Sequence, residues 1–316
     1  MPEVTTNVKK ANVRELIKKN KNTVNMHKIL ETVMPKLLLV IAIISVLTTI
    51  GIILTLITET FEFFKRVPFV EFYTGTVLKP LGENAQFGIL PLIAGTLMSS
   101  LIAMCVAIPI GLMSAVYLSE YASERVRKAL KPILEVLAGI PTIVYGFFAL
   151  TFVTPLLRSF IPGLEPSNIL SPGIVMGIMI IPMVASLSED AMSSVPKSMR
   201  EGALALGATK LEVSWKVVVP AAMSGIIASF VLAISRAIGE TMIVTIASGS
   251  SKNFTFDLTQ SMQTMTAYIV EVTGGDAPAG STLYYSLYAV AMTLFVFTLV
   301  MNMLAQYISR KFREEY

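Results

Sequence analysis

The run IASFVLAISRAIGETMIVTIASG (residues 227–249) is apolar or small throughout, except for Arg236 and Glu240 at its middle. A charge at the centre of a bilayer costs about 2.5–3.5 kcal/mol on insertion scales, so such residues face a bundle interior or a water-filled cavity. On a continuous helix Arg236 and Glu240 stack one turn apart, and Ser229 falls within about 20° of Arg236. One face then offers a hydroxyl, a guanidinium and a carboxylate. A guanidinium stays charged when dehydrated, and its planar fork fits an oxyanion bidentately. The chemistry this permits is reversible binding of a small anion, with Glu240 holding Arg236 when no anion is there. A structural ion pair pinning two helices is the other reading of the same residues.

The helices that must position this pair are read from composition and hydropathy. The chain has 316 residues, 54% hydrophobic and 15% charged, with a mean hydropathy of +0.70. A soluble chain would carry about 25% charged residues. The polypeptide therefore reads as an all-α, polytopic membrane protein. A bilayer core of about 30 Å needs roughly 20 apolar residues in a helix. Six spans meet that need, at 37–58, 88–118, 133–157, 172–190, 217–247 and 284–306. They leave a basic N-terminal segment (1–36), a loop at 59–87 and a short tail (307–316). No cleavable leader is expected, because the polar start is too long for an n-region.

With the N-terminus inside, the inner segments hold nineteen Lys and Arg and the outer segments five. That asymmetry puts both termini in the cytoplasm. The formal charge of +4 then belongs to inner loops rather than to a nucleic-acid surface. The basic stretch KKANVRELIKKNKNTVNMHK (9–28), which contains the lone His27, reads as a tail lying near anionic lipid. One His and one Cys (Cys105) leave little scope for a transition-metal or Cys–His catalytic site. In the outer loop, Phe61, Phe63, Phe64, Phe69, Phe72 and Tyr73 read as headgroup anchors, with a docking surface as the alternative. Thr96, Ser99 and Ser100, and Thr142 and Tyr145 beside Pro141, read as interhelical glue or as pathway lining.

The longest inner loop between spans, VPKSMREGALALGATKLEVSWKVVVP (195–220), carries its own punctuation. Pro196 suits the first turn of a helix. Met199, Ala203 and Leu206 follow at i, i+4 and i+7 on one face. Gly207 can end the helix in a left-handed conformation. Thr209 and Glu212 match a capping box that opens a second helix. The result is a bent element leading into the fifth span. Periodicity alone equally allows an amphipathic helix resting on lipid.

Here the residues carry a resemblance. Glu201-Gly202-Ala203, three residues, Gly207, nine residues, then Val217-x-Val219-Pro220 resembles the EAA motif of ABC importer permeases, with Gly202 in place of the usual second alanine. The runs 87–122, LAGIPTIVYGF (137–147), 204–226 and SRAIGETMIV (235–244) resemble the permeases of phosphate-specific transport systems. The segment DAPAGSTLYYSLYAV (276–290) helps to favour the PstC type over the PstA type.

That resemblance implies a type I ABC importer permease fold and import of inorganic phosphate across the inner cell membrane. It implies Arg236 and Glu240 in the substrate route, and helix spacing adds Ser229 to that pathway set. It makes 191–216 a coupling loop in which Met199, Glu201, Gly202, Ala203, Leu206 and Gly207 meet an ATPase subunit. The implied partners are a second, PstA-type permease, a dimer of cytoplasmic ATPases and an extracytoplasmic phosphate-binding protein. The chain lacks G-x-x-x-x-G-K-[ST], so no cofactor is expected on it, and ATP and Mg belong to the partner subunits. Molybdate or sulfate as cargo, and an ion-driven secondary anion transporter, are the rival expectations.

Overall fold

The computed structural model describes the backbone of residues 13–82 and 84–311, and the side chains of 31, 33–82, 84–304, 306 and 307. The expected N-terminal segment and C-terminal tail fall partly outside these residues, and the His27 side chain falls wholly outside. Two units are distinguished, 1–57 and 58–316.

The first unit is the larger part of α1 (Val13–Phe64), whose apolar portion, Val33–Phe64, is long enough to cross a membrane. Leu38, Leu39, Ile44, Val46 and Leu47 are each about 60% exposed. An apolar stretch of this length, uncovered by its own chain, is stable only in hydrocarbon or against another protein.

The second unit begins with a region the sequence reading treated as a loop. The end of α1 is followed by α2 (Phe69–Thr74) and a minimal antiparallel pair, β1 (Leu78–Lys79) with β2 (Gln86–Phe87). The expected headgroup role of the aromatics is corrected for part of the set. Phe63 and Phe72 are buried with Phe87, edge to face at 5.2–5.6 Å. They form one core with Met265, Tyr268 and Val290, while Phe61 and Phe69 remain exposed.

The centre is α3 (Leu90–Val116) packed along α7 (Leu170–Ser193), with α11 (Met223–Ile238) against both and α14 (Thr282–Lys311) behind α11. Small residues allow the close approach. A Cβ on Gly177 would lie 2.8 Å from the Ala103 carbonyl oxygen and 2.7 Å from Val106 Cβ. Such contacts are a main source of helix association where lipid supplies no hydrophobic drive. Thr96, Ser99 and Ser100 belong to this packing: all three are buried, and Thr96 Oγ1 accepts from the Met265 N–H at 3.0 Å.

Among the described residues four helices are long and apolar enough to span singly, and up to six spans result if each of two bent pairs is one. The span expected over 133–157 breaks at Pro141: α4 (Glu124–Gly139) meets α5 (Thr142–Phe148) at an 85° bend. Ile140 precedes Pro141 and is therefore extended, at φ −65° and ψ 130°. Tyr145 closes the corner by donating its hydroxyl to the Leu137 carbonyl at 2.8 Å. After a π-helical turn at Ala149–Val153, α6 (Thr154–Arg158) completes this arm.

The expected span 217–247 is corrected as well. It turns by 72° between α10 (Val219–Ala221) and α11, and it breaks again after Ile238, before α12 (Met242–Ala247). Between α12 and α14 the chain forms α13 (Met265–Gly274).

Candidate functional site

The break after Ile238 decides the geometry of the central charges. Gly239-Glu240-Thr241 leaves the helix, so Glu240 does not stack on Arg236. The Glu240 carboxylate instead turns onto α12 and accepts from the N–H groups of Met242 (3.1 Å) and Ile243 (3.4 Å). Its backbone carbonyl accepts from Thr266 Oγ1 at 2.7 Å. A broken helix inside a bundle leaves backbone groups that must find partners, and here one glutamate and one threonine provide several of them. Glu240 is 8% exposed.

Arg236 goes the other way. It is exposed and lines a cavity of about 460 Å³ between α4, α7 and α11. Among the described residues it forms no ion pair, and Nη2 approaches Met179 Sδ at 4.0 Å. The expected ion pair is therefore replaced by a capped carboxylate and a guanidinium facing open space. Ser229 is also corrected. It is buried, and its hydroxyl meets that of Ser188 on α7 at 2.8 Å, so it ties helices together and does not line the cavity.

Sequence reasoning missed a charged cluster at the far end of α7. Glu189 is 1% exposed and lies in a helix that otherwise reads as a span. It pairs with Arg127 at 3.0 Å and with Lys131, both on α4, and accepts from Ser193 Oγ at 3.1 Å. A buried carboxylate is tolerated when it is paired and hydrogen-bonded in this way. The signals were present: an acid pair at the end of an apolar run, and two cations four residues apart on one helix.

The loop that follows forms as its punctuation requires. Pro196 precedes α8 (Lys197–Ala205), Gly207 adopts φ +86°, and Thr209 with Glu212 makes the reciprocal capping box of α9 (Lys210–Val213). Those hydrogen bonds and Lys216 hold the exposed Glu212 carboxyl down at about 2. The face of α8 is corrected. Met199 and Ala203 pack inward against Met192, Val195, Val213 and Val218. The outward surface carries Ser198, Glu201, Gly202 and Ala205, with Gly207 exposed beyond it and Leu206 91% exposed at its tip.

Arg200, also unremarked in the sequence, fixes this lever to the bundle. It binds Glu120 at 3.0 Å, in the π-helical turn Tyr117–Tyr121 that ends α3, and donates to the carbonyls of Val195 (2.5 Å) and Met192 (2.7 Å). Arg200 thereby ties α8 to the ends of both α3 and α7.

Comparison with known proteins agrees with this arrangement. A phosphate transport system permease protein PstC of Haemophilus influenzae is 32% identical over 284 residues, covering 84% of this chain and 88% of that protein. A probable PstC of Methanocaldococcus jannaschii is 32% identical over 277 residues, covering 80% and 87%. A probable ABC transporter permease, YqgH of Bacillus subtilis, is 33% identical over 242 residues, covering 77% and 78%. A bacterial ABC transporter that imports alginate shares the fold at a TM-score of 0.61 and 17% identity, over 95% of this chain and all of that one. Residues 107–314 match the binding-protein-dependent transport system inner membrane component, and the chain belongs to that family of membrane-spanning ABC transporter permeases.

Proposed function

We propose that this chain is one transmembrane half of an ATP-driven importer of inorganic phosphate, with Arg236 as the residue that meets the anion in transit. The observation that carries this reading is the Arg236 guanidinium on the wall of a cavity of about 460 Å³, with no ion pair among the described residues. The relatives named as phosphate permeases support phosphate over molybdate or sulfate.

In this reading the loop 191–216 is cytoplasmic, as are both termini, and residues 88–306 form the permease core. Glu201, Gly202 and Leu206 meet an ATPase that carries ATP and Mg. A second permease of PstA type completes the pathway, and a phosphate-binding protein delivers cargo from outside. Nucleotide-driven closure of the ATPases moves α8, and Arg200 passes that motion to α3 and α7, so that the cavity alternates its opening. Glu240 keeps the half-helix α12 in place beside the route.

The test is phosphate uptake by the complete complex in vesicles. Arg236→Gln should abolish uptake while all subunits still copurify. Near-normal uptake by that variant overturns the assignment. Sulfate or molybdate competing as well as phosphate overturns the choice of cargo.

A further inference from the structure

The cavity that Arg236 lines has a second cation, and it stands nearer the coupling loop. Lys131 of α4 lies on the same wall system. Between the two, α7 offers Met179, Pro182, Met183, Ser186 and Leu187, at the spacing of one helix face. Arg236 touches this face at Met179, and Lys131 pairs with Glu189 ten residues further on. Ten residues of helix are about 15 Å. Their contacts on α7 are therefore set apart along the helix, which lays the two cations out as successive stations with the Ser186 hydroxyl between them. Glu135, one turn along α4 from Lys131, is the acidic residue of the lining and keeps the local charge from holding an anion too firmly.

The ion pairs around Glu189 indicate which of its cations can leave. Arg127 is fixed at several points: it binds Glu189 at 3.0 Å and donates to the Leu118 carbonyl at 3.2 Å and to Ser193 Oγ at 3.3 Å. Among the described residues Lys131 is bound only to carboxylates, Glu189 and, at 3.4 Å, the largely exposed Asp190. Its four-carbon stem is flexible and its side chain is 35% exposed. When Lys131 swings away, Arg127 and Ser193 stay on Glu189 Oε1, so the buried carboxylate keeps one cation, while its bare Oε2 draws the lysine back.

We propose that Lys131 is the inner anion-receiving residue of the path. It leaves Glu189 to take the oxyanion from Arg236, releases it towards the coupling-loop side, and is reclaimed by Glu189 to reset the site. Passage needs binding that is strong enough to enter and weak enough to leave, and two stations with a competing carboxylate at the second meet both conditions. This inference rests on the proposed phosphate route and adds to it a specific exit residue.

The experiment uses the complete complex in vesicles, with uptake of inorganic phosphate and ATP hydrolysis measured together. Lys131→Gln should lower uptake about tenfold while hydrolysis stimulated by the loaded binding protein persists. Glu189→Gln breaks the same ion pair but keeps the lysine, which Asp190 can still draw back, and should retain clearly more uptake than Lys131→Gln. Equal loss in the two variants makes Lys131 a latch only and overturns the proposal, as does undiminished uptake in Lys131→Gln.

A charge-rescue arm does not depend on how well Glu189→Gln folds. In a Cys105→Ala background, Lys131→Cys treated with 2-aminoethyl methanethiosulfonate should recover uptake, whereas methyl methanethiosulfonate should not. Recovery with both reagents, or with neither, overturns the proposal. If the unaltered complex moves no phosphate, it is the phosphate reading that fails. Uptake by the unaltered complex with no deficit in Lys131→Gln sinks the lysine station alone.

Discussion

Glu189 and Glu240 are two carboxylates buried in apolar surroundings, and the chain satisfies them in opposite ways. Glu189 sits within a continuous helix, where the backbone is already paired, so it draws Arg127 and Lys131 from α4. Glu240 sits at a helix break, where N–H groups are free, and it uses those of Met242 and Ile243. The difference teaches that a buried acid takes whatever donors its backbone context leaves open. A buried glutamate inside a helix draws its donors from another element, and one at a break draws them from its own backbone. It follows that Arg236 is left to face the cavity, because Glu240 has been satisfied elsewhere.

The largest expected effect breaks the first half of this contrast. Glu189→Leu leaves Arg127 and Lys131 without their buried partner. Both cations keep about a third of their side-chain exposure, so the loss should fall at the low end of the range for broken buried pairs, about 3 kcal/mol. Glu240→Gln keeps an oxygen that can accept from the same N–H groups and should cost under about 1 kcal/mol. Thermal unfolding of the purified complex compares the two. Equal losses would remove the distinction.

A double-mutant cycle sharpens the second half. If Arg236 and Glu240 do not pair, the stability changes of Arg236→Gln and Glu240→Gln should add to within about 0.5 kcal/mol. An ion pair would show as a coupling of about 1–3 kcal/mol. This measurement separates the broken helix from the continuous one read in the sequence.

What the sequence made legible follows the range of the interactions involved. Pro196, Gly207 and the Thr209–Glu212 box act within a few residues, and the helix, glycine turn and capped second helix form where those residues put them. The permease fold was legible through the spacing of Glu201, Gly207 and Pro220. The pairing of Glu189 with Arg127 and Lys131 spans some sixty residues and depends on how α4 folds back along α7, which periodicity does not encode. The Arg236–Glu240 stack failed because Gly239 was counted as helix interior when it ends α11. The aromatic loop failed because β1–β2 and α13 build a core over Phe63 and Phe72, a tertiary event invisible in a run of rings.

The face of α8 failed for a smaller reason. Met199 and Ala203 share the expected stripe, but the helix ends at Ala205, and Leu206, at φ −80° and ψ 4°, has left it. That gives a matched pair of truncations. Met199→Ala removes packing against Met192 and Val195 and should destabilise the chain by about 1–2 kcal/mol. Leu206→Ala should change stability by no more than about 0.5 kcal/mol, yet weaken copurification of the ATPase. The reverse pattern would put Leu206 in the chain's own core and Met199 on the docking face.

Gly202 tests how closely a partner approaches α8. A Cβ added at Gly202 meets nothing within 4 Å beyond its chain neighbours and the backbone of its own helix, and the residue lies in the interior of that helix. Within the chain alone, Gly202→Ala should therefore stabilise α8 by about 1 kcal/mol, the difference in helix propensity. Between the exposed Glu201 and Leu206, one methyl group enlarges the outward surface only slightly, so phosphate uptake and ATPase copurification should be unchanged while unfolding shifts upward. A stabilised variant that loses uptake would mean that the ATPase groove reaches the α8 backbone at this residue. Glycine would then be required there by the partner, since the fold of the chain leaves the space open.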